Sequence, residues 1–444
     1  MSFPRYSEYK DTEINWIAQI PTGWQIASLS KLFSIKAGGD VNTDVFSETR
    51  THDRPFPIYT NANNPNIVYG YTSKAKYGPN CITVSGRGYV GFAAFRDHIF
   101  DAIIRLLVLT PKKDLNCKFF EYFINEVVDF REESSAIGQL STNQIAPYKV
   151  AFPDCREQSK ITHFLDHETA KIDTLIHEQK RLIELLKEKR QAVISHAVTK
   201  GLDPDVPIKD SGVEWLGDVP AHWGVATIRR FAKAVRTGGT PSLEMPNSEI
   251  ADGINWFTPG DFNGSLMLHE SEKQLRISSI SSGDAKLFPG GSVLVVGIGA
   301  TLGKVAKVDD DFSANQQINV IVPGKRINGH FLVYSLSAQK SQMRFVSNAS
   351  TIGIMNQEKT KDIVLVLPPV EEQTQITESL DRGVQNLDQL VIKAASGILL
   401  LKERRSALIS AAVTGKIDVR DWQPPADEST FDKEMRQAEI KVTA

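Results

Sequence analysis

The longest regular pattern in the chain is helical. From Glu157 to Lys200 there is no proline or glycine, and Leu165, Ile172, Leu175, Leu182, Leu186 and Val193 follow one another at spacings of 7, 3, 7, 4 and 7 with charged residues between them. Apolar positions at that rhythm form the a/d seam of a coiled coil. The spacing predicts a helix over 157–200, about 65 Å long at the usual helical rise. A second seam, Leu380, Leu387, Leu390, Leu401 and Leu408, predicts a second long helix over 371–418. There Gly397 takes the place that Leu182 holds in the first, and a glycine inside a helix costs about 1 kcal/mol. It implies either a close approach of helices or a locally weak seam. The stretches before each helix change rhythm. ITVSGRGYVGFAAF, LLVLTP, VLVVGIG and VIVPG alternate or run apolar over short lengths between turn residues, which is strand patterning. They predict one mixed α/β globule over 1–156 and another over 224–370. The segment 201–223 carries Pro, Gly and Asp and reads as a linker that begins a second unit, while 419–444 reads as a polar, frayed tail with at best one short helix.

The two halves are copies of one plan. W-(I/L)-x-x-(I/V)-P-x-x-W occurs from Trp16 to Trp24 and again from Trp215 to Trp223. LKEKRQAVISHAVTKGLD (186–203) returns as LKERRSALISAAVTGKID (401–418), at an offset of about 215 residues. Between these flanks the agreement loosens: KYGPNCITVSGRGYVGFAAF (76–95) follows the plan of LFPGGSVLVVGIGATLGKVA (287–306), and SSAIGQL (134–140) that of NASTIGI (348–354). A kept framework with diverged loops indicates two units that share a scaffold and differ in what they contact.

Composition narrows the class without naming it. At 444 residues the chain is too long for one core, and 41% hydrophobic with 23% charged residues is ordinary globular composition. Lys and Arg number 51 against 53 Asp and Glu, so binding to nucleic acid has to come from local patches rather than a global field. Cys81, Cys117 and Cys155 are odd in number and far apart, which gives neither a disulfide framework nor a cysteine zinc site. The start lacks a basic stretch followed by an apolar one, and no window holds 18 apolar residues in a row. The expectation is a cytoplasmic protein that does not engage a membrane.

The enzyme-like strings fail on inspection. Gly297, Gly299, Gly303 and Lys304 follow a strand-like VLVV, but the spacing is not that of a phosphate loop, and KVAKV alternates where a dinucleotide fold needs a helix. A Gly-rich hairpin is the reading. PDCREQSK (153–160) clusters acid and Lys as a metal nuclease does, yet its counterpart PPVEEQTQ has neither Asp nor Lys, which points to a helix start with acid in its first turn. No metal cluster, catalytic triad or cofactor motif is legible, and no catalysis or cofactor is expected. What remains are polar, Gly-rich loops. The first copy offers Lys74, Lys76, Ser85, Arg87, Tyr89, Arg105 and the run Gln139–Asn143. The second offers Thr237, Gly238, Gly239, Thr240, Thr301, Lys304, Asn315, Gln316, Gln317, Asn356 and Gln357. Lys and Arg neutralise phosphates, glycines let backbone N–H groups approach them, and Asn, Gln and Arg can read base edges bidentately. Taken singly, each also has the plainer reading of a turn or a satisfied surface group.

With the repeat, the paired long helices and the tryptophan flanks in hand, the sequence resembles the DNA-specificity subunit of type I restriction-modification systems. The resemblance rests on KDSGVEWLG (209–217), TGGTPS (237–242), WFTPGDF (256–262), NQQ (315–317), PPVEEQ (368–373) and the LKExR…ISxAVT helix ends. It implies two target-recognition domains that each read half of a split double-stranded DNA site, held apart by an antiparallel coiled coil, with two methylation subunits docked and restriction subunits joining the complex. It implies a non-catalytic chain that leaves the chemistry to its partners. A tandem repeat of globule and long helix closes on itself if the helices pair antiparallel, which gives an α+β fold of pseudo-two-fold circular arrangement. The first domain departs from the family strings, with Ala37, Gly38, Gly39 and Asp40 in place of TGGT and Ile103, Ile104 and Arg105 in place of NQQ. The competing class is a non-catalytic coiled-coil adaptor that binds only proteins.

Overall fold

In the computed structural model the described residues are 3–14, 16–130, 139–242, 245–246, 253–347 and 353–424, without the side chain of Val346. Most of SSAIGQL, most of NASTIGI and the tail beyond 424 therefore lie outside the described residues. The chain forms two compact units, Met1–Lys180 with Ser396–Ala444, and Arg181–Ala395. Each long helix contributes one part to each unit. The helices run over Cys155–Lys200 and Val370–Val413.

The first unit is built on a four-stranded antiparallel sheet in the order Phe33–Ala37, Leu106–Pro111, Cys81–Ser85, Ala93–Arg96. The second repeats the order with Ala232–Thr237, Ile318–Pro323, Ser292–Val296 and Val305–Val308. The register is kept as well: Ala37 faces Leu107, and Thr237 faces Asn319. A second, mixed sheet accompanies each. In the first unit Asp101–Ala102 pairs in parallel with Ile58–Tyr59, and in the second Ser313–Ala314 pairs in parallel with Trp256–Phe257. The Gly-rich strings are hairpin loops between antiparallel strands, as the alternation of KVAKV implies.

The repeated flanks are framework. Trp24 and Trp223 are both 1% exposed, and each closes a tight turn by donating its backbone N–H to Pro21 and to Pro220, respectively. Each tryptophan carbonyl also receives a lysine, Lys10 in one unit and Lys209 in the other, at 2.6 Å. Gln158 and Gln373, in the first turns of the long helices, make matching bonds. Their Nε2 groups donate to Pro153 and Pro368 at 2.8 Å, and their Oε1 atoms accept the N–H of Asn116 and Asn328 at 2.9 and 2.8 Å. The PDCREQ string is thus a helix start, capped by Asp154 through the N–H of Glu157.

Each core takes in both long helices. Ile161, Leu165, Ile409, Ala412 and Val413 join Trp24 and the phenylalanines of Cys117–Val127 in the first unit. Ile194, Ala197, Val198, Ile376, Leu380 and Val384 join Trp223 in the second. Along the expected seam, Leu165, Ile172, Leu186, Leu380 and Leu387 are buried, Leu401 and Leu408 are half-buried, and Leu175, Leu182, Val193 and Leu390 are exposed. Neighbours such as Ile176, Ile194, Val384, Ile398 and Ile409 are buried instead. A Cβ at Gly397 would meet nothing within 4 Å among the described residues, so close approach does not explain that glycine. No helix among the described residues is long and apolar enough to cross a membrane.

Candidate nucleic-acid interface

In the second unit the ends of the sheet strands gather the polar loops. Gly238 is buried, and a Cβ there would run into the carbonyl oxygens of Ala314 and Asn315. Its N–H donates to Ile318 at 3.0 Å, and that of Gly239 to Ala314 at 2.8 Å. Gly238 lets two segments of the chain cross with no side chain between them, and the crossing sets the 237–240 loop against 315–317. Thr240 is hydrogen-bonded to the Gln316 side chain, and the Asn315 Oδ1 accepts the Gln317 N–H at 2.6 Å, an Asx turn that leaves Gln316 and Gln317 exposed. Two residues without an assigned role in the sequence reading brace this corner. Trp256 Nε1 donates to the Gly239 carbonyl at 3.1 Å, and Lys286 Nζ donates to those of Thr237 and Gly238 at 2.9 and 3.2 Å.

The hairpin between Ser292–Val296 and Val305–Val308 abuts the same corner, since the Gly297 N–H donates to the Gln317 carbonyl at 2.8 Å. Gly299 and Gly303, with φ of 83° and 80°, make its bend, the left-handed region that glycine enters without a Cβ penalty. Half-buried Thr301 sits in that bend, and Lys304 Nζ donates to the Phe262 carbonyl at 2.7 Å. Arg344 reaches over to the Leu302 and Ala300 carbonyls at 3.4 and 3.3 Å. Burial, then the neighbouring Arg344 and Lys304, hold the Lys340 ammonium below the usual lysine range. Three cations therefore converge on this loop, and among the described residues none of them pairs with a carboxylate, an arrangement suited to an anion. Arg344 and Lys340 lie in no motif of the sequence.

The first unit has the same backbone with other side chains. Gly38 again excludes a Cβ, here against the carbonyls of Ile103 and Ala102. Arg105, at the place of Gln317, is held at φ 73°, and its backbone crowds Gly86. Arg87 and Tyr89 are exposed on the Gly86–Gly91 hairpin, Tyr89 at 56%. Lys74 and Lys76 are exposed beside Gly39 and Asp101, with Lys76 Nζ 3.7 Å from the Asp101 carboxylate. Ser85 is buried: its hydroxyl donates to the Ala62 carbonyl at 3.0 Å and accepts the Ala62 N–H at 3.2 Å. Its side chain is spent within the fold.

Outside these clusters, each unit has a matching recess. In the first it is lined by Trp16, Ile17, Val127, Ser410 and Thr414, and in the second by Trp215, Leu216, Gln339, Ser195 and Thr199. The exposed indoles, 46% and 37% accessible, stand at equivalent points of the repeat. So do the Thr414 and Thr199 hydroxyls, which bond back to the Ser410 and Ser195 carbonyls at 2.6 and 2.7 Å.

The profile of the type I restriction modification DNA specificity domain matches residues 21–185 and again 220–392. A type I specificity subunit of Mycoplasma pneumoniae is 28% identical over 143 residues, which is 31% of this chain and 39% of that protein. A second from the same organism is 26% identical over 132 residues, again 39% of its length, so the matches span about two fifths of these relatives. The MjaX specificity subunit of Methanocaldococcus jannaschii aligns over 95% of this chain and 99% of its own at 20% identity. Among solved structures, a chain from work on assembly and conformational transition of the type I system has TM-score 0.69 at 14% identity, covering 90% of this chain and 99% of that one. The HsdS subunit of Thermoanaerobacter tengcongensis has TM-score 0.52 at 15% identity, with 90% and 98% covered. These structural likenesses concern the fold, and they extend over both units.

Proposed function

The chain belongs to the type I restriction-modification DNA-specificity family, and from that membership we propose that it is the sequence-recognition subunit of a type I restriction-modification complex. The observation that carries this reading is the duplication: two units with one backbone plan present different polar loops at the same strand ends. Each unit reads one half of a split DNA target, Lys74, Lys76, Arg87, Tyr89 and Arg105 in the first and Thr240, Thr301, Lys304, Gln316 and Gln317 in the second. Cations position the duplex through its phosphates, and the amides and Arg105 select bases. The chain has no catalytic role of its own and no cofactor.

The long helices pair antiparallel as a coiled coil, and the repeat closes into a pseudo-two-fold arrangement. In support, Asp173 pairs with Arg405 in one unit and Arg190 with Asp388 in the other, at matching positions. Two methylation subunits dock, one at each tryptophan recess, and restriction subunits join through them in the cytoplasm. The twin recesses support this, because a site kept in both copies fits one partner taken twice. DNA retention by the chain, with and without its methylation partners, tests the reading. Sequence-dependent retention with the partners is expected, whereas its absence in both cases would leave a protein-only adaptor.

A further inference from the structure

Resting on the reading of the second unit as a half-site reader, we infer that Asn319 is a positioning residue that fixes its three recognition loops through a buried amide–hydroxyl relay. Asn319 is 3% exposed and Thr360 is fully buried, so neither side chain can reach a ligand. Both protons of the Asn319 amide are used: Nδ2 donates to the Met355 carbonyl at 2.7 Å and to Thr360 Oγ1 at 2.9 Å. Its Oδ1 accepts the Thr237 hydroxyl at 2.9 Å, and Thr237 Oγ1 accepts Gln357 Nε2 at 2.8 Å. The Thr360 hydroxyl donates to the Asn356 carbonyl at 2.8 Å. One side chain thus joins the 237–240 loop, the strand that follows 315–317, and the 354–357 segment. A satisfied buried network of this kind fixes geometry, and a missing member leaves orphaned groups.

The first unit supplies the comparison. At the positions of Thr237, Asn319 and Thr360 stand Ala37, Leu107 and Ile145, the last two 1% and 0% exposed in one apolar core. The same backbone is therefore stable with apolar residues at all three positions. The relay is not a requirement of the scaffold. It belongs to the unit in which loop side chains Thr240, Gln316 and Gln317 must be held in one geometry, and it orients them from behind.

The test uses the full chain in complex with its methylation partners and plasmid DNA carrying a randomised insert, with methylated sequences read out. Thr360→Val keeps the shape and removes the acceptor. It is expected to lower discrimination at the second half-site about tenfold, which corresponds to about 1.4 kcal/mol, and to leave the first half-site unchanged. Thr360→Ser, which keeps the hydroxyl, is expected to retain discrimination. The triple variant Thr237→Ala, Asn319→Leu, Thr360→Ile carries the first unit's set. It is expected to melt close to the unsubstituted chain and still to read the second half loosely. Undiminished second-half discrimination in Thr360→Val or in the triple variant would overturn the inference while leaving DNA recognition intact. Absence of any two-part motif with the unsubstituted chain would remove the underlying reading and the inference with it.

Discussion

Arg190 donates from Nε to the Asp388 carboxylate at 3.0 Å, and at the matching positions of the repeat Arg405 donates to Asp173 at the same distance. Each pair links the two long helices within one unit. All four side chains retain some exposure, from 23% for Arg190 to 54% for Asp173, so each pair contributes about 0–1 kcal/mol. Their value is in register: like charges brought together by a slipped pairing repel. Asp388→Arg, which sets two arginines face to face, is expected to lower the melting temperature at low salt. The loss should shrink at 1 M salt, where screening reaches about 3 Å, and Arg190→Asp should rescue it. Calorimetry at both salt concentrations checks this, and a loss independent of salt would point to packing instead.

The two glycines of the 237–240 loop separate by mechanism. Gly238→Ala forces a Cβ into the Ala314 carbonyl and is expected to cost about 1–3 kcal/mol, as overpacking does. At Gly239→Ala the new Cβ meets nothing within 4 Å among the described residues, and the variant should melt like the unsubstituted chain. Urea unfolding of the two variants side by side decides it, and equal midpoints would show that the crossing can relax.

Much of this was legible in the sequence. The repeat, both long helices, the hairpin at 297–304 and the helix start at PDCREQ follow from patterning and from comparing one copy with the other. The seam is less simple. A straight helix drifts about 20° per heptad against a 3.5-residue repeat, and the helix ends bury Ile194, Ala197, Ile409 and Ala412 in the globule cores. Leu175 and Leu182, leucines at seam spacing, are exposed, while Ile176 beside Leu175 is buried. Among the loop residues, Ser85 looks like a polar tip in the string SGRG but lies inside the sheet. Lys286, Arg344 and Asn319 carry no local signal, because their roles arise from contacts across dozens of residues.

Phosphate and base contacts in the second unit are expected to part company. Lys304→Ala should weaken binding to specific and random duplexes alike and reduce the salt slope by about one. Gln316→Ala should cost about 1–3 kcal/mol on the specific duplex alone. Titrations at several salt concentrations check both. Equal losses on both duplexes for Gln316→Ala would show an amide that serves only Thr240.

The recesses around Trp16 and Trp215 predict a stoichiometry. Trp16→Ala and Trp215→Ala are each expected to yield complexes with one methylation subunit in place of two, and the double variant should retain none. Native mass spectrometry of the co-purified complexes gives the count. Two bound subunits in the double variant would exclude these recesses as docking sites.

The proposed function requires each unit to read its half of the target independently of the other. Mapping methylated sites in a host whose only specificity chain carries residues 20–155 of a relative, with the rest unchanged, tests it most directly. The expected target has one new half-site and one original half-site. A target altered in both halves, or in neither, would contradict it.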